Sequence, residues 1–281
     1  MINLLIKLNN FYIGEAVSFM RKYIPDDFVD LTVTSPPYDN LRNYKGYIFD
    51  FEGMAKELYR VTKNGGVLVW VVGDSVKDGD ESGNSFKQAL YFKSIGFKLF
   101  DTIIYHKYGS PMRGSLKGYN QTFEYMFVLT KGKIKTTNII KDRINKTSGS
   151  VRYTTNRRKD GKVNNQGLCK TEKYGRRENI WSYANGYMQT AKDKIAFNHP
   201  ALFPEKLAED HIISWSNEKD IVLDPMCGAG TTCKMAWLNN RKFIGIDMSE
   251  EYINEICIPR LEMYGWKQEE NKNTNINILI N

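Results

Sequence analysis

Ile221-Val222-Leu223-Asp224-Pro225-Met226-Cys227-Gly228-Ala229-Gly230-Thr231-Thr232 is the stretch on which the reading of this chain turns. Its first three residues predict a short buried strand, Asp-Pro and two glycines one residue apart predict a tight turn, and residues 231–239 predict a helix. A strand that turns sharply into a helix lets backbone approach a ligand closely and aims the N–H groups of the helix N-terminus at it. A turn with no ligand would need the same glycines, so a second signal is required. Residues 243–246, Phe-Ile-Gly-Ile, supply it: they predict another strand, which delivers Asp247, and a carboxylate there can accept both hydroxyls of a ribose. The pair points to a nucleoside-bearing cofactor. A third glycine is missing and Asp224 stands ahead of the turn; a carboxylate there would repel a pyrophosphate but attract the ammonium and sulfonium of S-adenosylmethionine.

Outward from this turn, the chain alternates strand and helix. Val29–Thr34 is a β-branched strand stopped by Pro36-Pro37, and Phe51–Val61 has apolar residues at helical spacing before Asn64-Gly65-Gly66. Residues 67–72 form a continuous apolar run, as a strand buried on both faces requires. Residues 85–95 predict a helix, 97–105 and 123–129 two strands, and 203–215 a helix with Pro204 near its start. The fold class that follows is α/β, a doubly wound and mostly parallel sheet. No internal repeat is visible, and the tail from Lys267 is polar apart from residues 276–280.

A second constellation, Thr34-Ser35-Pro36-Pro37-Tyr38, sits at the carboxyl end of a strand, where open α/β sheets place their ligands. Two consecutive prolines fix two φ angles and remove two donors, leaving carbonyls of set direction beside a hydroxyl and an aromatic ring. A rigid turn would explain the prolines alone. The combination suits a planar, amino-bearing ring, with Ser35 Oγ and the Pro36 carbonyl accepting the amino hydrogens and Tyr38 stacking on its face.

Charge divides the chain. The net charge is +8 and the isoelectric point near 9.1. Between residues 131 and 180, 15 Lys and Arg face only Asp142, Asp160, Glu172 and Glu178, whereas the remaining 25 Lys and Arg are outnumbered by 28 acids. This stretch, poor in large apolar residues, reads either as a solvated charge run or as a nucleic-acid surface whose cations neutralise phosphates. Arg152, Arg157, Arg158, Arg176 and Arg177 are its candidate phosphate or guanine contacts. At 281 residues the chain can bury one large core plus an insertion. The longest apolar run is too short for a membrane helix and the first residues do not read as a signal peptide, so a soluble, cytoplasmic protein is expected. Four cysteines and three histidines form no CxxC or HExxH pattern, which argues against a metal site or a disulfide framework.

SPPY followed by DPMCGAGTT resembles the amino-methyltransferases that use S-adenosylmethionine to methylate an exocyclic nitrogen of a base in DNA, in the permuted order of their β group. The resemblance extends to Phe11-Tyr-Ile-Gly-Glu15, to Glu124-Tyr-Met-Phe-Val-Leu-Thr-Lys-Gly132, to His199-Pro-Ala-Leu-Phe-Pro-Glu205 and to Phe243-Ile-Gly-Ile-Asp247. It implies a seven-stranded Rossmann-like methyltransferase sheet. The catalytic domain would comprise residues 1–130 and 192–281, and residues 131–191 would be an inserted target recognition region. It implies Ser35, Pro36, Pro37 and Tyr38 as catalytic residues. Glu15, Asp224, Met226, Cys227, Gly228, Gly230, Thr231, Thr232 and Asp247 would bind the cofactor. Glu15 replaces the family's usual Asp and Met226 its usual Phe. Double-stranded DNA is the expected partner, with a homodimer and a cognate restriction endonuclease as further candidates.

The absences agree. Methylation of cytosine carbon 5 needs a thiolate, normally after proline, and no Pro-Cys pair occurs; transfer to an amino nitrogen needs none. Ser at the first motif position is, in the resemblance, typical of cytosine-N4 enzymes, so cytosine N4 is expected, with adenine N6 as the alternative. A catalytically inactive DNA-binding module is disfavoured by the intact motifs. Tyr44 and Tyr47 could belong to a loop that closes on DNA, and Tyr119 could stack on an extruded base, whereas Phe123 is expected in the core. His199 falls where the resemblance lines the cofactor, and His106 and His211 read as ordinary surface or core residues.

Overall fold

The computed structural model describes residues 6–37, 49–109 and 119–268. Tyr38, Tyr44, Tyr47 and the 276–280 patch lie outside the described residues. Residues 1–138 and 180–281 form one compact unit and 139–179 another.

The large unit is built on a sheet of β1 (Asn10–Ile13), β2 (Val29–Thr34), β3 (Thr62–Val72), β4 (Lys98–Tyr108), β5 (Phe123–Thr130), β6 (Ile180–Ala184), β7 (Ile221–Asp224) and β8 (Lys242–Asp247). The strands lie side by side in the order β1-β8-β7-β2-β3-β5-β4-β6. All neighbours are parallel except at β5, which runs antiparallel to both β3 and β4. The sheet thus has eight strands where seven were expected. The extra one, β6, pairs with β4 at an edge; Trp181 and Tyr183 point inward while Ile180 is 61% exposed. Its five residues directly follow the basic stretch, and an edge strand with one wet face carries little apolar signal.

Alternation along the strands gives two cores. Val67, Val69 and Val71 pack with α4 (Glu205–Trp215) and α5 (Thr231–Leu238) on one face. Leu68, Trp70 and Val72 pack with α1 (Ala16–Tyr23), α2 (Phe51–Val61) and α3 (Asn84–Ser94) on the other. This is why β3 reads as an unbroken apolar run. Near the C-terminus, Tyr252–Cys257 forms a wide π turn leading into Ile258–Glu262. No described helix is long and apolar enough to cross a membrane.

The second unit contains an antiparallel ribbon, Val151–Arg157 with Val163–Lys170, whose register shifts between Asn165 and Gly167. A two-residue pair, Arg143–Ile144 with Tyr174–Gly175, accompanies it. The unit is narrower than the 131–191 insertion expected from sequence, because β6 joins the large sheet and the Asn138 amide donates to the Ser214 carbonyl over 2.8 Å.

Candidate active site

Four parallel strands, β1, β8, β7 and β2, end side by side at one edge of the sheet. In that spatial order their ends carry Glu15, Asp247, Asp224 with the glycine turn, and Ser35. The chain leaves β7 toward β8 in one direction and β2 toward β3 in the other, so the boundary between β7 and β2 is the switch point where such sheets open a crevice.

Asp224 sits in that boundary, 5% exposed. Its Oδ1 accepts from the Thr34 hydroxyl at 2.8 Å and from the Met226 amide at 3.3 Å. Burial raises its pKa to about 6, against hydrogen bonds from the Thr34 hydroxyl and the Met226 amide that oppose the rise, with Asp247 adding repulsion. The turn after it needs both glycines. Gly228 and Gly230 have φ of +49° and +71°, and a Cβ on Gly228 would lie 2.8 Å from His199 Nε2. A Cβ on Gly230 would lie 3.1 Å from Cys257 Sγ. His199 therefore lies directly against the turn, with its ring 4.5 Å from that of Tyr252.

Asp247 ties two turns together. Its Oδ2 accepts from the Gly228 amide at 2.8 Å and its Oδ1 from the Ser249 amide at 2.9 Å. Burial raises its pKa, and the backbone donors limit the rise. The Met248 amide is a third backbone donor to the same carboxylate.

Thr231 and Thr232 face the interior. Thr232 Oγ1 donates to the Val33 carbonyl over 3.1 Å, and Thr231 Oγ1 accepts from Arg260 Nη1 at 2.9 Å. Cys227 is buried, its thiol pushed well up by burial, and Met226 is half-buried against the core beneath α1. Pro36 is buried, and Ser35 and Pro37 are half-buried. Glu15 has a local duty: its carboxylate caps α1, accepting from the Val17 amide at 2.9 Å and the Ser18 amide at 2.8 Å.

Sequence reading missed what holds the turn from behind. Arg260, fully buried, donates to the Ala229 carbonyl at 2.7 Å and to Glu205 Oε1 at 2.7 Å, and its Nε lies 2.8 Å from Asp193 Oδ1. Lys234 Nζ contacts Asp193 Oδ2 at 2.6 Å and Glu205 Oε1 at 2.5 Å. Two cations and two carboxylates thus share one dry site behind the glycines. Desolvation works against both Asp193 and Lys234, yet their pairing lowers the carboxyl pKa and raises the ammonium pKa. The available signal was a lysine inside the apolar helix TTCKMAWL, which demands a buried partner.

The remaining residues fall as follows. His211 is core: its Nδ1 accepts from Trp215 Nε1 at 3.0 Å. His106 Nδ1 lies 3.0 Å from Ser182 Oγ and joins β4 to β6. Tyr119 is fully exposed; Phe123, expected in the core, is 47% exposed at the start of β5. In the second unit Arg152, Arg157, Arg158 and Arg176 are exposed, whereas Arg177 is engaged by Asp142 at 2.8 Å. Among the described residues no group of three or more His, Cys, Asp or Glu side chains could hold a metal ion.

Residues 29–257 match the DNA methylase family of N6 and N4 methyltransferases. The chain belongs to this family. The orphan methyltransferase M.BamHII of Bacillus amyloliquefaciens is 55% identical over 87% of this chain and 93% of that protein. The DNA adenine methyltransferase YhdJ of Escherichia coli (strain K12) is 29% identical over 85% of this chain and 78% of its own length. Among solved structures, the cytosine-N4-specific PvuII DNA methyltransferase superposes with a TM-score of 0.65 at 19% identity, covering 89% of this chain and 85% of that one. The M1.HpyAVI complex with S-adenosylmethionine does so with a TM-score of 0.60 at 21% identity, covering 90% and 98%. These likenesses share the fold. As a DNA amino-methyltransferase of the N6/N4 family, the protein uses S-adenosylmethionine as its methyl donor.

Proposed function

We propose that this protein is a site-specific enzyme that transfers the methyl group of S-adenosylmethionine to the exocyclic N4 of cytosine in duplex DNA. The observation that carries the choice of base is Ser35: a neutral hydroxyl, not a carboxylate or amide, follows β2 at the switch point. The adenine-N6 reading draws its support from the E. coli relative named as an adenine methyltransferase.

The row of strand ends fits the donor from one side to the other. Asp247, its two oxygens already oriented by the Gly228 and Ser249 amides, would accept from the ribose hydroxyls. Gly228 and Gly230, whose Cβ positions are taken up by His199 and Cys257, keep the turn tight enough for its backbone to approach the donor. Met226 borders the adenine, and Asp224 places negative charge where the ammonium and sulfonium would sit. Cys227, Thr231, Thr232 and Glu15 support these contacts by shaping the turn and the start of α1. The donor supplies an electrophilic methyl group. Ser35 Oγ and the Pro36 carbonyl take the hydrogens of the amino group, so that its lone pair leaves the ring plane and points at that methyl. Pro37 fixes the direction of the turn and Tyr38 stacks on the base.

The basic stretch, of which 139–179 is the compact part, would serve as target recognition region and hold duplex DNA. A homodimer, a cognate endonuclease and a cytoplasmic location belong to the same reading. Plasmid from cells expressing the protein, digested to nucleosides and examined by mass spectrometry, tests it. N4-methylcytosine is expected; N6-methyladenine without N4-methylcytosine would overturn the choice of base.

A further inference from the structure

The antiparallel ribbon of the second unit has two unlike faces. Residues directly opposite each other in such a pair share a face, so register sorts the side chains. Tyr153 lies opposite Leu168, Val151 opposite Lys170 and Arg157 opposite Val163. Alternation along Val151–Arg157 puts all six on one side, while Arg152, Thr154, Asn156, Asn164 and Cys169 share the other. The register shift between Asn165 and Gly167 is what brings Val163 to the side of Leu168 and Lys170.

The first of these sides is apolar in its middle and open to water. Val151, Tyr153, Val163 and Leu168 are all exposed, Tyr153 by 71% and Leu168 by 65%. Polar side chains on the other side are solvated without cost, and Thr154 Oγ1 there donates to Cys169 Sγ over 3.3 Å. Four large apolar groups on one side of a two-stranded ribbon call for a cover. Charge indicates its kind. Lys170 and Arg157 stand at the two ends of the apolar row, and the turn that closes the ribbon, residues 158–162, adds Arg158, Lys159 and Lys162 against Asp160 alone. An apolar protein surface would have to desolvate these cations, whereas the phosphates that border a groove pair with them.

The major groove of duplex DNA, about 12 Å wide, admits a two-stranded ribbon, and the one apolar group on its floor is the C5 methyl of thymine. We infer that the Tyr153–Leu168 side of the ribbon enters the major groove and reads thymine methyl groups, so that the sequence this enzyme selects contains at least one A·T pair recognised there. Six steps of about 3.4 Å separate Val151 from Arg157, which sets Lys170 and Arg157 about 20 Å apart, one at each end of the stretch of groove that Tyr153 and Leu168 occupy. The inference rests on the duplex-DNA reading above and deepens it: phosphate contacts hold the duplex without reading it, and the apolar side adds a base contact.

The test works before the target sequence is known. A plasmid that the enzyme methylates in cells is amplified once with thymidine triphosphate and once with deoxyuridine triphosphate, which yields the same duplex with and without its C5 methyl groups. The full-length enzyme is then assayed on both. Wild-type kcat/KM should fall about 4-fold or more on the uracil DNA, as the loss of one buried methyl group predicts. Leu168→Ala and Tyr153→Ala should each lower kcat/KM on thymine DNA and bring the ratio between the two DNAs toward one, while the salt slope of duplex binding stays at the wild-type value. Equal wild-type rates on the two DNAs would overturn the proposal even if the variants did not fold, and so would variants that keep the full preference for thymine. A dimer of the free protein that dissociates in Leu168→Ala would overturn it too, by assigning this side to a second copy. Methylation of neither DNA would instead remove the duplex-DNA reading itself.

Discussion

The Thr34 hydroxyl donates to Asp224 Oδ1 across 2.8 Å, joining the ends of β2 and β7 on the two sides of the switch point. The Ser-Pro-Pro motif after β2 and the glycine turn after β7 are thereby one mechanical piece. Removing the donor with Thr34→Val should raise the Asp224 pKa further and weaken S-adenosylmethionine binding several-fold, although Thr34 would touch neither substrate. Calorimetric titration reads this; unchanged affinity would mean that the bridge is incidental.

Asp224 also sets a pH dependence. Its folded pKa of about 6 lies above the ordinary value of 3.8, because burial disfavours the anion. The unfolded chain therefore releases this proton first, and the group's contribution to stability, full below the ordinary value, falls as pH rises to about 6. Cofactor binding, which uses the anion, should strengthen over the upper part of the same interval. Asp224→Asn should raise the apo Tm at pH 7.5, reduce that gain at pH 4, and cost about 10-fold or more in S-adenosylmethionine affinity. A variant less stable than wild type at pH 7.5 would contradict this account.

Gly228→Ala combines a left-handed φ with a Cβ 2.8 Å from His199 Nε2. The backbone cost alone is about 1–2 kcal/mol. Unfolding in urea should show at least that loss, together with weaker cofactor binding. A neutral change would show that the turn relaxes freely.

Lys234→Met leaves Asp193 and Glu205 with Arg260 as their one paired cation among the described residues, beside the Tyr264 hydroxyl on Asp193. Breaking such a cluster should cost about 3–5 kcal/mol, and Asp193→Asn in the same chain should recover part of it. Urea midpoints of the single and double variants measure this. A single-variant loss below about 1 kcal/mol would contradict the role given to the cluster.

In the basic unit the arginines separate by partner. Arg152→Ala, Arg157→Ala and Arg158→Ala should each lower the salt dependence of duplex binding by about one unit of slope. Arg177, engaged by Asp142, should affect folding of the unit more than the slope. Equal slopes in all four variants would remove these three arginines from the DNA interface.

Much of this was legible from residue order. β2 and α2 fall where Val29-Asp30-Leu31-Thr32-Val33-Thr34 and the 3.6-residue spacing from Phe51 to Val61 place them, because buried parallel strands and amphipathic helices carry strong local patterns. β6 escaped because an edge strand is only half buried. Glu15 was read only through the resemblance at Phe11-Tyr-Ile-Gly-Glu15, and its cap geometry could not be seen without the start of α1. The cluster of Asp193, Glu205, Lys234 and Arg260 escaped because its partners lie up to 67 residues apart in sequence, Asp193 to Arg260, and only the packed fold brings them together. Phe123 was misplaced because a half-exposed aromatic residue at the start of a strand carries the same apolar signal as one in a core.

The central claim, that this strand-end row binds S-adenosylmethionine and delivers its methyl group to an amino nitrogen held at Ser35, is tested most directly by isotope transfer. Duplex DNA incubated with purified enzyme and trideuteromethyl-labelled S-adenosylmethionine should yield labelled N4-methylcytosine with the wild-type protein. With Ser35→Ala the label should fall by about 100-fold or more while cofactor affinity stays within about twofold. Label transferred by Ser35→Ala at the wild-type rate would contradict the account.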